Sequence, residues 1–207
     1  MPNEFYRQPE GSSSLGVILP GVGYTSAVPL LYYAERLLID RGCDVLTVDY
    51  DYRSISRNVP TAEMEERLFT DTLQSLSVAC DQHSYSSVVL VGKSLGTMAM
   101  AMAHLLELQR WPIVASVWLT PILRRKDVRH QLANMSDRAF VAIGTDDGEY
   151  DEQLLHELQQ RHGVDVCTIE GADHSIDIVG NVPDSVAAVR TVTHTMLAFL
   201  ERIDSTR

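Results

Sequence analysis

"VVLVGKSLGTMAMAMAHLLEL", residues 88–108, joins a β-branched apolar run to a long apolar stretch through one tight segment, Gly92-Lys93-Ser94-Leu95-Gly96. Three readings compete for that segment. A phosphate-binding loop of the form G-x-x-x-x-G-K-[ST] needs a flexible glycine loop, so that several backbone N–H groups can wrap a phosphate. Counting back from Gly92 puts Ser87 at the first glycine position and Val88 to Val91 in the loop, where they read as strand. That reading fails on geometry. A dinucleotide fold finds Gly21 and Gly23 in "GVILPGVGYTS" (16–26), after a strand and before a helix, with Asp49 at the end of the next strand. Its third glycine position is Ser26, however, and Pro20 sits at the strand exit. The third reading takes G-x-S-x-G as a sharp strand-to-helix turn that lifts the serine Oγ above the C-terminal edge of a sheet, flanking glycines leaving room where a side chain would collide. A strand-like run precedes the motif, and Leu95, Ala99, Met102, Ala103 and Leu106 follow it at helical spacing, as a buried helix requires.

The rest of the chain repeats this alternation. Apolar β-branched runs recur at 16–20, 44–50, 87–92, 113–120, 139–144 and 164–171, as in a buried parallel sheet. Between them lie segments with apolar spacing of three and four: Leu30, Leu31, Ala34, Leu37 and Leu38; Leu68, Thr72, Leu76 and Ala79; Leu154, Leu155 and Leu158; and Val186, Val189, Met196 and Leu200. They read as crossover helices, because parallel neighbours need long connections. Arg41-Gly42 and Gly163 suit helix ends, and Pro183-Asp184-Ser185 suits a helix start. The expectation is one domain over residues 1–207: an α/β, doubly wound, mostly parallel sheet of about six or seven strands with helices on both faces, the residues before Ser14 adding a short edge strand.

Composition narrows the partners. The chain has 207 residues, 45% hydrophobic and 22% charged, with a formal net charge of -11, which argues against nucleic acid and anionic membranes as partners. No apolar run approaches the roughly 20 residues that span a bilayer, and the start lacks the pattern of a targeting segment, so a cytoplasmic address is expected. Cys43, Cys80 and Cys167 lie far apart without metal-ligand spacing, and read as reduced structural thiols. Neither a metal nor an organic cofactor is expected.

A serine hydroxyl is a poor nucleophile until a base takes its proton, so the chain must also supply a histidine and a group to orient it. "GTDDGEYD" follows the run ending at Gly144, and "EGADHSID" follows the run ending near Ile169. Ser94, Asp147 and His174 thus each come just past the end of a predicted strand, at the edge where open α/β sheets place ligands. The other six histidines lie in helical patterns or at helix ends and read as structural or solvated.

From about Leu15 to Ile203 the chain resembles the α/β-hydrolases, specifically their small, cap-less members akin to dienelactone hydrolases and compact carboxylesterases. The matching pieces are "LPGVG" at the oxyanion turn, "GKSLG" at the nucleophile turn, "GTDD" in a G-x-x-D pattern and "GADHS" at the histidine turn. The chain departs from the family in having Pro20-Gly21 where His-Gly is frequent, and in running from Thr120-Pro121 directly into "ILRRKDVRHQLANM", with no space for a helical lid.

The resemblance implies a serine hydrolase that forms an acyl-enzyme, acting on a small-molecule ester or thioester. Ser94 would be the nucleophile, His174 the base, and Asp147 the group that orients the imidazole. Asp146 is the competing carboxylate, with Asp49 and Asp51 further candidates. The oxyanion donors would be the Leu95 N–H and the Val22 N–H, with Gly23 the alternative to Val22. Tyr24, Lys93, Ile122 and Tyr150 could line the pocket, Lys93 reading by default as a solvated charge. The rival function is a catalytically silent protein of the same fold that binds a ligand or partner, since fold does not fix function.

Overall fold

A computed structural model describes residues 3–48, 50, 61–81, 83–107 and 111–206. Asp49 and Asp51, considered above, lie outside the described residues. One seven-stranded sheet runs through the structure: β1 (Glu4–Tyr6), β2 (Ser14–Leu19), β3 (Asp44–Thr47), β4 (Ser87–Lys93), β5 (Ile113–Leu119), β6 (Ala139–Gly144) and β7 (Asp165–Ile169), in the order β1-β3-β2-β4-β5-β6-β7. The edge strand β1 is antiparallel to β3, and the other pairings are parallel. Gln8 fastens the chain after β1, its N–H donating to Asp44 Oδ1 and its side-chain amide to the Ile39 and Cys43 carbonyls.

Among the described residues, five helices connect the strands, α1 (Pro29–Asp40), α2 (Thr61–Asp81), α3 (Leu95–Glu107), α4 (Lys126–Met135) and α5 (Glu152–His162), and α6 (Val182–Ser205) follows β7. Continuous apolar strands bury both faces of the sheet, and successive residues feed opposite layers. In β6, Ala139, Val141 and Ile143 join the core under α2 to α5, whereas Phe140 and Ala142 join the core under α1 and α6. The chain passes from β2 to β3 on one side and returns across β2 to reach β4. The connections leaving β2 and β4 therefore diverge, and the crevice of a doubly wound sheet opens between them.

Two details differ from the sequence reading. The buried stripe of α6 is Ala188, Val192, Met196, Phe199, Leu200 and Ile203, while Val186, read above as part of it, is 65% exposed. At about 100° per residue Val186 lies nearly opposite Ala188, so it belongs to the solvent side. Pro183, Asp184 and Ser185 do lie in the first turn of α6, which Asn181 caps by accepting the Asp184 N–H at 3.2 Å. The segment 122–135, not named above among the helices, holds α4, which buries Val128, Gln131, Leu132 and Met135 at helical spacing. It packs against α3 and α5, and with a short 3-10 turn over 136–138 it makes up the connection from β5 to β6. No lid is inserted there.

Among the glycines, the closest approach to another backbone segment lies where α3 passes under β2. A Cβ on Gly96 would sit 1.8 Å from the Leu19 carbonyl oxygen and 2.6 Å from its carbon, backbone atoms that cannot swing aside. Gly148, by contrast, has open space around its Cβ position. Gly96→Ala is expected to destabilise the fold by more than about 3 kcal/mol, and Gly148→Ala to change it by less than about 0.5 kcal/mol, as read from urea unfolding midpoints.

Candidate active site

Ser94 is the single residue between β4 and α3, and its backbone takes a positive φ of 53°. Its N–H donates to the Leu119 carbonyl at 3.1 Å, and its own carbonyl accepts both the Thr97 N–H and the Thr97 hydroxyl. The turn is so compact that a Cβ on Gly92 would meet the Gly96 carbonyl at 2.8 Å. The Pro20-Gly21 segment crosses just above, where a Cβ on Gly21 would lie 2.9 Å from Ser94 Cβ. Glycine's missing side chain thus lets the β2 exit close over the serine. Other non-glycine residues with positive φ include Thr120 (42°), after β5, and Ile176 (63°), two residues past His174. A β-branched residue there is a genuine outlier costing on the order of 1–3 kcal/mol, and such strain gathers at functional sites.

The loop after β6 supplies a carboxylate. Asp147 Oδ1 accepts the Glu149 N–H at 2.9 Å, leaving Oδ2 directed at His174 Nδ1 at 2.8 Å. The Asp147 side chain is 1% exposed, whereas its competitor Asp146 is exposed and only its N–H is engaged, on the Ala172 carbonyl. Glu149 is buried in turn and paired with the Arg124 guanidinium, its other oxygen accepting the Arg124 N–H at 3.0 Å.

The loop after β7 supplies the imidazole. Asp173 Oδ1 accepts the Ser175 and Asp177 N–H groups, closing a compact turn around His174. His174 Nε2 lies 2.9 Å from Ser94 Oγ. An ionised carboxylate only accepts, so Nδ1 carries the proton towards Asp147, and the bare Nε2 of the neutral ring accepts the Ser94 O–H. Ser94, His174 and Asp147, contributed by three strand ends, form one hydrogen-bonded chain. The His174 side chain is 42% exposed, so the site opens to solvent.

The oxyanion candidates occupy the two turns beside Ser94. Leu95 is the first residue of α3, where a backbone N–H has no partner inside its helix. Val22, 55% exposed, lies in the turn closed by the Gly21–Tyr24 bridge, with Gly23 beside it at a φ of 70°. Ile122 is buried, and Tyr24 and Tyr150 are half-buried. Among the described residues no cluster of three or more His, Cys, Asp or Glu side chains is placed to hold a metal ion. Burial pushes the Cys43 thiol up to about 11 and raises Cys167 as well, which keeps both protonated and unreactive.

Lys93 overturns its default reading as a solvated charge. It is 1% exposed, its Nζ donating to Thr120 Oγ1 and to the His174 carbonyl, each at 2.8 Å, and lying 4.3 Å from the centre of the Tyr24 ring. As the last residue of β4 its side chain turns inward with the strand, and charge alone gives no sign of that. Thr97, Thr120, Asp173 and Glu149, which brace the site, were also not singled out in sequence. Their only signal is adjacency to the strand ends that carry Ser94, Asp147 and His174.

These features agree with the comparisons. A family model described as an alpha/beta hydrolase domain matches residues 16–200. The chain belongs to the alpha/beta hydrolase family. Among proteins with curated descriptions none matches the sequence. A putative alpha/beta hydrolase from Agrobacterium tumefaciens superposes with a TM-score of 0.64 at 17% identity, covering 100% of this chain and 98% of its own. The esterase Est2 of Thermogutta terrifontis, solved with propionate bound, gives 0.61 at 18% identity, with 97% and 89% covered. A lidless serine hydrolase from Xanthomonas campestris gives 0.58 at 15% identity, with 93% and 88% covered. At such identities the likeness speaks for the fold. No described helix of this alpha/beta hydrolase is long and apolar enough to cross a membrane.

Burial also lowers the Lys93 ammonium from 10.5 to about 8, against the pull of Asp147 and Asp173. A lowered lysine value means that the folded state holds its proton less tightly than the unfolded chain, so the desolvation cost is full below about pH 8 and fades as the pH rises towards 10.5. Between those limits the stability of the wild type is expected to rise relative to Lys93→Met, as followed by chemical unfolding across the pH series.

Proposed function

We propose that this alpha/beta hydrolase is a serine hydrolase that cleaves a small carboxylic ester or thioester through an acyl-enzyme. The observation that carries this reading is the unbroken hydrogen-bonded chain from Ser94 Oγ through His174 to Asp147, lying at the C-terminal edge of the sheet beside the switch point. His174 Nε2 takes the Ser94 proton as Oγ attacks the acyl carbon, and Asp147 stabilises the imidazolium that forms. The same proton then passes to the departing alcohol or thiol. Charge building on the carbonyl oxygen meets the Leu95 N–H at the start of α3 and the Val22 N–H from the β2 turn, donors fixed before the reaction begins. Water activated by His174 attacks the acyl-enzyme and releases the acid.

The exposed imidazole and the lidless connection from β5 to β6 suit substrates that enter directly from water. The esterase among the structural relatives supports an ester substrate, and the lidless serine hydrolase supports an open site. Strong activation by long-chain triglyceride droplets would contradict it.

Fluorophosphonate labelling, read by intact mass and peptide mapping, tests the reading. A single adduct on Ser94 is expected, absent in Ser94→Ala and slowed by about a hundredfold or more in His174→Ala and Asp147→Asn. An unlabelled, folded wild type would transfer the weight to a silent binding protein of the same fold. The rate should also rise with pH, because only the neutral His174 ring can accept the Ser94 proton. A flat profile would remove His174 from its role.

A further inference from the structure

Lys93 is among the largest fully buried side chains of the structure, and it lies directly before the nucleophile. Its ammonium faces three groups from three segments: the Thr120 hydroxyl after β5, the His174 carbonyl after β7, and the Tyr24 ring in the turn after β2. Because the lysine backbone leads into Ser94, one side chain touches every loop that contributes to the site except that of Asp147. We propose that Lys93 is a positioning residue that ties the histidine loop to the nucleophile turn and holds the imidazole at the height where it meets Ser94 Oγ. The proposal rests on the serine hydrolase reading above.

The physical case is one of satisfied acceptors. The Lys93 ammonium satisfies the His174 carbonyl, and hydrogen bonds from a charged donor are short and strong. An acceptor deprived of such a donor must find water or another partner, and in a turn already strained at Ile176 the loop would move to do so. Replacing a buried charge by an apolar side chain of similar volume is often neutral or stabilising, so stability by itself does not call for a lysine here. Placement does, because a displacement of about 1 Å between reacting groups can lower a rate on the order of a hundredfold. The charged groups around the ammonium work in its favour: Asp147 and Asp173 both favour the protonated form, which burial leaves predominant at neutral pH.

Lys93→Met and Thr120→Val, which removes one of the two oxygen partners, are compared with the wild type in three readouts. These are the rate of Ser94 phosphonylation, kcat and KM for p-nitrophenyl acetate, and the thermal midpoint. In Lys93→Met the phosphonylation rate and kcat should fall about tenfold to a hundredfold, with KM within about twofold and the midpoint not lowered. Thr120→Val should lose severalfold in the same parameters. The low-field proton resonance of His174 Nδ1–H, held in the wild type, should broaden in Lys93→Met as the ring loses its fixed position.

A folded Lys93→Met that reacts at the wild-type rate overturns the inference, and so does a rate loss matched by a falling midpoint, which would mark a structural role alone. If Lys93→Met does not fold, Thr120→Val decides: a wild-type rate there overturns the proposal. These failures are distinguishable from failure of the catalytic reading. A wild type that takes no adduct on Ser94 overturns both, whereas a labelled wild type with unaffected variants overturns only the role of Lys93.

Discussion

The passage of α3 beneath the exits of β2 and β4 constrains everything around it. Helix and strand approach until only hydrogen fits between Gly96 and the Leu19 carbonyl, and the chain can make that reversal only by placing Ser94 at a φ of 53°. Placed in that turn, Ser94 directs its Oγ to His174 Nε2 at the C-terminal edge of the sheet. The Leu95 N–H, at the start of α3, lies beside it and has no acceptor inside its own helix. Close packing and backbone strain therefore arise from a single steric demand.

Around that turn the site is assembled from loops that share no local interactions in sequence. The sheet sets their starting points about 4.8 Å apart per strand, and backbone bonds between them set their heights. Thr145 and Asp146 donate to the Ile169 and Ala172 carbonyls, which joins the carboxylate loop to the histidine loop. Thr120 donates its N–H to the Ala142 carbonyl, joining the β5 exit to β6. Lys93 crosses between the nucleophile turn and the histidine loop from below. The result is a rigid rim, with a half-exposed imidazole above a carboxylate and an ammonium that are both shielded from water.

Electrostatics follows from that layering. Asp147, buried with two hydrogen-bond donors, and Lys93, buried with two oxygen acceptors and a ring face, are opposite charges on the dry side of His174. Asp147 favours the ionised form of Lys93 across a medium less polarisable than water. The His174 side chain itself stays 42% exposed to solvent.

The strands, the helix following Ser94 and the order Ser94, Asp147, His174 were legible in sequence because each rests on a local signal: β-branched runs, apolar spacing, and glycines where a side chain would collide. The choice of carboxylate leaned on spacing from Gly144, and the structure places Asp147 inside and Asp146 outside because successive side chains in that turn point to opposite sides of the rim. Helix α4 was passed over although Val128, Leu132 and Met135 keep helical spacing, because a polar residue, Gln131, fills the remaining buried position and breaks the apolar stripe. Val186 misled because an apolar residue at the first turns of a helix need not face the core. By itself, then, the sequence determined the alternation of elements and the three residue types poised at strand ends, since those depend on neighbours along the chain. Whether Lys93 meets water or the His174 carbonyl was settled only by the tertiary structure, because a charge's surroundings are made by segments some eighty residues away.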